Sequence, residues 1–272
     1  MSKQTTRGSL SAKPLDVTGG ETRAELIKRA KRSAVPLRRA FVQLAQDKPV
    51  RHGVLASFVQ KGDLRALRAY LMVLAASSGQ DDRGKTTELD SLVWGRLFDA
   101  DQYTADDAGT RTAAWRTLIR LQKKQLISCT RTPGSRKIKV TLRREDGSGE
   151  PYTRPGLNNN DAYLQIPTAF WLRGFDGKVS MPGLAMLLAI CNERNWAAFP
   201  AERMPEDRWY GWSADTTERG LKELLKLGLI ERRERYKRAP LTPAGSTMFY
   251  QYRPTRVMRV ASKPRAAAAA TE

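Results

Sequence analysis

The chain has 272 residues, enough for one large domain or two small ones. It carries 48 lysines and arginines against 28 acidic residues, a net charge of +20, so its field favours a polyanionic partner over an acidic protein or a membrane surface. No apolar run approaches the roughly 18 residues of a bilayer span, and residues 1–20 lack a signal-peptide core, so we expect a cytoplasmic chain. One histidine and two cysteines exclude most histidine-based metal sites and a disulfide framework.

Composition divides the chain into segments. Polar and basic residues at the N-terminus predict disorder, although 21–33 are compatible with a short basic helix whose cations, with Arg38 and Arg39, could follow a phosphate backbone. The sequence EPYTRPGLNNND at 150–161 is typical of a linker. The expected segments are a disordered basic arm, a first domain, a linker, a second domain and a basic, alanine-rich flexible tail, at residues 1–34, 35–149, 150–161, 162–253 and 254–272.

The two expected domains contain an internal repeat. Leu67, Tyr70, Leu71 and Leu74 recur at helical spacing in the first copy, and an equivalent apolar stripe occurs in the second. In chain order the repeat predicts a short strand at 41–44 and 163–166, an apolar helix at 64–75 and 184–191, and a second short helix at 88–98 and within 200–210.

A third helix matches between the copies over ten or so positions without a gap. It opens at Thr110 in the first copy and at Ser213 in the second, and either hydroxyl can accept a hydrogen bond from a free amide of the first turn. Alternating residues and turn signals then predict a hairpin in each copy. The hairpin strands are expected at 126–131 with 137–142, and at 229–236 with 248–252. The result is a mainly α protein with small β-hairpins, an α+β fold.

The run from 213 to 230 resembles the recognition helix and first wing strand of bacterial winged-helix regulators. The first copy keeps the family's arginine as Arg111 but has Gln125 where the family has glycine, and Ala214, Thr217 and Glu218 also depart from the pattern. Two such units in one chain are similar in architecture to the replication initiators of iteron plasmids. The resemblance implies two tandem winged helix-turn-helix domains. The matching residues are Ser213, Thr216, Leu221, Leu224, Gly228, Leu229 and Ile230.

The resemblance also implies that the third helices enter the major groove of double-stranded DNA and that the basic hairpins contact phosphates. For each of these side chains the alternative is a solvated surface. The tryptophans Trp115, Trp209 and Trp212 are expected to pack helices together rather than to stack on bases. In the first copy the candidate DNA-binding residues are Thr110, Arg111, Thr112, Arg116, Arg120, Lys123, Arg131, Arg136, Lys137 and Lys139. In the second copy they are Ser213, Asp215, Thr216, Arg219, Lys222, Arg232, Arg233, Arg235, Lys237 and Arg238.

One motif supports an enzyme instead. Residues 79–86, GQDDRGKT, fit the GxxxxGK[ST] pattern of phosphate-binding loops and would indicate an ATPase. Asp81 and Asp82 would place negative charge in a cradle for phosphates, and the preceding run repeats as a helix where that fold needs a strand. We therefore expect a polar loop here.

The expected function is sequence-specific binding of double-stranded DNA by a nucleoid-associated transcription regulator that is not an enzyme. We expect no cofactor, no metal and no membrane partner, and the sequence leaves homodimer formation open. Replication initiation at origin repeats, nonspecific DNA coating and P-loop ATPase activity remain as alternatives.

Overall fold

The computed structural model describes residues 17–260 except for 46–47, 49, 77–84, 132, 157–160, 194 and 206–208. These residues form a mixture of α-helices and small antiparallel sheets, compatible with the expected α+β class. The helices are α1 (Gly19–Ala30), α2 (Leu55–Gln60), α3 (Leu64–Ala76), α4 (Ser91–Leu97), α5 (Asp107–Lys123), α6 (Ala169–Leu172), α7 (Phe175–Lys178), α8 (Met181–Asn192) and α9 (Ala214–Lys226). The strands are β1 (Ala34–Arg38), β2 (Thr86–Asp90), β3 (Ile127–Arg131), β4 (Lys137–Leu142), β5 (Tyr163–Pro167), β6 (Ile230–Arg238) and β7 (Ser246–Pro254).

The apolar helices α3 and α8 form the centre of the core, as the repeat predicts. In α3 the side chains of Leu67, Tyr70 and Leu74 are completely buried, and α8 buries nearly every residue between its ends. Ser180 caps α8 by accepting a hydrogen bond from the amide of Gly183. Because one cluster of buried side chains runs through both halves, the halves share a single core.

The third helices begin differently in the two halves. Ser213 caps α9 as predicted, accepting a hydrogen bond from the amide of Thr216 at 3.1 Å. In the first half the prediction was wrong, because Asp106 caps α5 and accepts from Gly109 at 2.7 Å. A carboxylate at this position also complements the positive end of the helix dipole. Thr110 therefore lies inside the helix and is buried.

Each half continues in the order helix, strand or bridge, helical turn, helix, hairpin. In the first half β2, β4 and β3 form a three-stranded sheet in that spatial order. In the second half a single bridge from Ala197 to Tyr252 adds to the edge of the β6–β7 hairpin, which gives the same spatial order. The second short helix is a 3-10 turn there, at Ala201–Arg203. In the first half residues 88–90 are strand, not helix as predicted, because the Asp90 side chain caps α4 at Leu92.

The strand predicted at 41–44 is misplaced. The first-half strand that corresponds to β5 is β1, and the two pair antiparallel. Residues 41–44 follow this strand, where the chain turns through a 3-10 helix at Arg39–Phe41. Pro36 lies within β1 and is tolerated there because, among the described residues, β1 has a single neighbour in its sheet. The pairing of β1 with β5 ties the two halves together.

A buried charge network adds to this connection. Arg38 is 2% exposed and donates to both carboxylate oxygens of Asp161 at 2.8 Å, to Thr153 at 2.7 Å and to Glu145. Burial raises the pKa of the Glu145 carboxyl, while the charge of Arg38 acts in the opposite direction. Since Thr153 and Asp161 belong to the expected linker, and Tyr152 is also buried, this segment is part of the packed structure where it is described.

The expected arm and tail also pack on the body where they are described. In α1, Ile27 is buried and Arg23 forms ion pairs of 2.8 Å with both Asp99 and Asp176. After β7 a 3-10 turn at Arg256–Met258 buries its methionine. The short basic helix allowed by the sequence at 21–33 is present as α1, although it begins at Gly19 and is packed on the body instead of forming a free arm. The prediction of a free tail is wrong for 255–258, while 1–16 and 261–272 lie outside the described residues.

Candidate nucleic-acid interface

The exposed face of α5 carries cationic side chains in two different states. Arg111 donates to Asp90 at 2.6 Å, and Arg120 pairs with Asp63 at 2.8 Å, so both are engaged within the protein. Arg116 and Lys123 are exposed and form no hydrogen bond or ion pair with the described residues. Thr112 is exposed as well, whereas Thr110 is buried and unavailable to a ligand. Fewer side chains of α5 are therefore available to contact a ligand than the sequence indicated.

The hairpin of the first half, β3–β4, presents charge on one side. Ile138 and Val140 are buried against the core, which leaves Lys137 and Lys139 pointing outward on β4. Lys139 stands opposite Glu88 of β2 in the sheet register, so part of its charge is offset. The remaining predicted wing residues, Arg131 and Arg136, are exposed.

Helix α9 is held close to α8 by a small residue and a carboxylate. A Cβ on Gly220 would lie 2.4 Å from the backbone oxygen of Pro182, so only glycine permits this approach. Glu223 accepts hydrogen bonds from the amide and the hydroxyl of Ser180 at the start of α8. These contacts fix the helix and direct its other face to solvent.

The solvent face of α9 neutralises its own charge. Arg219 pairs with Asp215 at 2.9 Å, and Lys222 pairs with Glu218 at 2.6 Å, each at a spacing of four residues. The whole helix carries three cations against three carboxylates, whereas α5 carries four cations against one carboxylate. Thus the predicted contacts Asp215, Arg219 and Lys222 are exposed, but the helix offers little net charge to a phosphate.

The β6–β7 hairpin holds the largest concentration of unpaired positive charge among the described elements. Its nine-residue strands carry six cations against two carboxylates, and one carboxylate, Glu231, is bound to Arg253. Arg235, Lys237 and Arg238 form no ion pair with the described residues. Desolvation and the like charges of Arg235 and Arg253 lower the pKa of Arg233, as expected in a positive field.

Aromatic rings position several of these arginines. Arg233 and Arg253 stack on Trp196, with guanidinium carbons 4.5 and 4.3 Å from the ring centre, and Arg232 lies 4.1 Å above Tyr250. Arg233 also donates to the side-chain oxygen of Gln251 at 2.9 and 2.7 Å, and Arg253 is paired with Glu231. Stacking therefore holds these guanidinium groups in place at the base of the hairpin and limits their loss of rotamer freedom on binding, although part of their edge is already occupied.

Sequence reasoning missed Trp196 and Arg253. Trp196 lies between the predicted helices, and no local pattern links it to a hairpin more than thirty residues away. The predicted tryptophans do pack against the core: Trp212 is buried, Trp115 lies under Arg131 and Trp209 lies between two arginines.

The proposed role of the N-terminal cations is restricted by their contacts. Arg38 is held in buried ion pairs, Arg23 is partly buried and paired with Asp99 and Asp176, and Arg39 donates to Asn192 at 3.0 Å. Arg29 pairs with Glu25 on the surface. Since the charges of Arg23 and Arg38 are already paired within the protein, these two residues are removed from the candidate interface.

The phosphate-binding-loop alternative is contradicted by the elements at either end of the motif. Residues 77–84 lie outside the described residues, but a helix, α3, precedes them and a strand, β2, follows. A nucleotide-binding loop requires the opposite order, a strand before and a helix after. Thr86, which would bind the metal of a nucleotide, lies in β2 and its hydroxyl is 3.0 Å from that of Thr141.

Comparisons with protein-family models, with curated protein sequences and with solved structures found no significant match. Within the described residues no helix has the length and apolar character needed to cross a bilayer. The described part of the chain also contains no cluster of three or more histidine, cysteine or acidic side chains able to hold a metal ion.

Proposed function

We propose that the protein binds double-stranded DNA in a sequence-specific manner, through two tandem winged helix-turn-helix units, and acts as a transcription regulator. The observation that carries the proposal is the β6–β7 hairpin, where Arg235, Lys237 and Arg238 are exposed and have no carboxylate partner among the residues that the structure describes. Each phosphate that such a side chain neutralises releases condensed counterions, which favours binding to DNA.

The element order supports the assignment of the two units. In both halves a third helix follows an apolar helix and a helical turn, and an antiparallel hairpin follows the third helix. In a winged helix-turn-helix this third helix lies in the major groove, with the hairpin beside it. The exposed Arg116 on α5 is suited to the paired acceptors of guanine.

The two halves differ in what they offer to DNA. We assign base recognition mainly to α5, because Arg116 and Lys123 are unpaired within the described part of the chain, and phosphate contact mainly to the β6–β7 hairpin. Since β1 pairs with β5 and Arg38 links the halves, the units are held in one arrangement, which would fix the spacing of the two DNA segments they contact.

The test is a selection of DNA fragments. The protein is mixed with fragmented duplex DNA from its host and replicon at about 150 mM salt, which suppresses purely electrostatic binding. We expect recovery of a few discrete sites, and an R116A variant should lose the preference while retaining general affinity. Sites near promoters would support regulation, and directly repeated sites at an origin would assign the protein to replication initiation. Equal recovery of all fragments would contradict specific recognition.

A further inference from the structure

The outer part of the β6–β7 hairpin exposes apolar side chains together. Leu241 at the tip is fully exposed and Tyr236 is 68% exposed, with Met248 and Phe249 beside them at 41% and 36%. Met248 stands directly opposite Tyr236 on one face of the hairpin, and Phe249 stands opposite Arg235 on the other face. Both faces of the outer hairpin and its tip therefore expose apolar side chains, and exposed apolar surface of this kind commonly marks a binding site.

The tip that carries Leu241 is a closed loop. Ala239 donates to the backbone oxygen of Gly245 at 2.9 Å, and the amide and hydroxyl of Thr242 both donate to that of Ala239. Two prolines, at 240 and 243, fix backbone angles on either side of Leu241. The leucine is thus held outward by a structured loop, and little ordering is needed when it contacts a partner.

The charges around the tip indicate what that partner is. Arg235, Lys237 and Arg238 surround the apolar side chains and have no carboxylate partner among the described residues. A protein interface of ordinary size needs about 800 Å² from each partner, more than a single hairpin tip supplies. A narrow apolar tip between cations is better matched to a groove with phosphates along both edges.

The length of the outer hairpin permits such an approach. Four cross-strand pairs, from Arg235 opposite Phe249 to Arg238 opposite Ser246, precede the loop. At a rise of about 3.3 Å per residue they extend about 10 Å, and the grooves of B-form DNA are roughly 7.5 to 8.5 Å deep. Leu241 can therefore reach the floor of a groove while Arg235, at the far end of this segment, remains at the groove edge.

We propose that Leu241 acts as an apolar wedge that enters a groove of bound duplex DNA and unstacks one base step. Arg235, Lys237 and Arg238 would hold the phosphates beside that step, so the DNA would be bent or opened there. This inference rests on the DNA-binding function proposed above and adds deformation of the duplex to it.

The experiment compares two duplexes of about 30 base pairs that differ by one central mismatch, each with 2-aminopurine beside the central step. A mismatch removes part of the unstacking cost in advance. We therefore expect the protein to bind the mismatched duplex about tenfold more tightly and to raise 2-aminopurine fluorescence on the paired duplex. In the L241S variant both effects should disappear, and L241M should keep them. L172S, which makes the same change at an exposed leucine of α6, is the matched control.

The outcomes separate the two proposals. Equal affinity for both duplexes, or a fluorescence change that survives in L241S, would overturn the wedge and leave DNA binding intact. Failure of the full-length protein to bind either duplex would overturn both. Vesicles of phosphatidylserine and phosphatidylcholine, and sedimentation of the protein alone, complete the test. Loss of vesicle binding or of a dimer in L241S, without any effect on DNA, would assign the tip to a lipid surface or to a second copy of the chain.

Discussion

The two halves of the molecule carry their unpaired charge on different elements. In the first half it lies on the helix, where Arg116 and Lys123 of α5 are exposed and free of partners among the described residues. In the second half α9 is neutralised by its own carboxylates, and the free cations lie on the β6–β7 hairpin. An internal repeat in sequence therefore does not give two equivalent surfaces.

The difference follows from the two hairpins. The β3–β4 pair is short and belongs to a three-stranded sheet, so one of its faces is buried. The β6–β7 pair has nine residues per strand and exposes both faces over its outer part, so it has room for more cations. Since base contacts specify and phosphate contacts position, the proposed DNA-binding function assigns specificity to the first half and affinity to the second.

The two halves are joined in one body partly by the ion pairs of Arg38, and an R38M variant would remove these ion pairs. Removing the guanidinium leaves Glu145 buried without its charge partner, and a broken buried ion pair costs about 3–5 kcal/mol of unfolding free energy. Urea denaturation followed by tryptophan fluorescence measures the loss. An R38M/E145Q double variant should recover a large part of it.

The effect of R38M should also depend on pH. The pKa of Glu145 is raised above its ordinary value of 4.5 in the folded protein, so protonation favours the folded state. The stability that this group contributes is fully present below 4.5 and is lost as the pH rises through the folded pKa. Without Arg38 the folded pKa should rise further, so R38M should be less destabilising at about pH 5 than at about pH 8. An equal loss at both values would contradict the assignment.

The contribution of the second half to DNA affinity is tested by a triple variant. In this variant alanine replaces Arg235, Lys237 and Arg238. Each phosphate contact contributes about 0.9 to the salt dependence of binding, so three contacts correspond to about a hundredfold or more in affinity near 0.1 M salt. Fluorescence anisotropy on one duplex over a range of salt concentrations measures both the affinity and its salt dependence. An unchanged salt slope would show that these side chains do not contact phosphates, whatever happens to the affinity.

The two third helices are compared directly by R116A and R219A. Arg116 has no hydrogen-bond or ion-pair partner in the described ranges, so its removal should cost about tenfold in affinity for a preferred site. Arg219 is already paired with Asp215, so R219A should change affinity by about threefold or less. A D215N variant releases Arg219 and should tighten binding by a similar small factor. If R219A has the larger effect, the assignment of recognition to α5 is wrong.

The sequence predicted what local signals determine. The apolar spacing of α3, the hydroxyl cap at Ser213 and the alternation along β4 each lie within a few residues of the element they define. Contacts between distant segments were missed. The segment β1 forms a strand because it pairs with β5, and Arg38 is buried because it pairs with Glu145, more than a hundred residues away in each case. For the candidate site, the sequence identified the cations but not which of them have internal partners.

The turn that follows each third helix has a left-handed residue, and it is glycine in one half and glutamine in the other. Gly228 and Gln125 occupy equivalent positions and both take left-handed backbone angles, with φ of 67° and 57°. A Cβ on Gly228 would meet nothing within 4 Å, so G228A should cost about 1 kcal/mol through backbone strain alone. Q125G relieves the same strain but adds freedom to the unfolded chain, so it should stabilise the protein by about 0.5 kcal/mol. Thermal unfolding of both variants should therefore shift in opposite directions, and a loss of stability in Q125G would mean that contacts of the glutamine side chain outweigh its backbone strain.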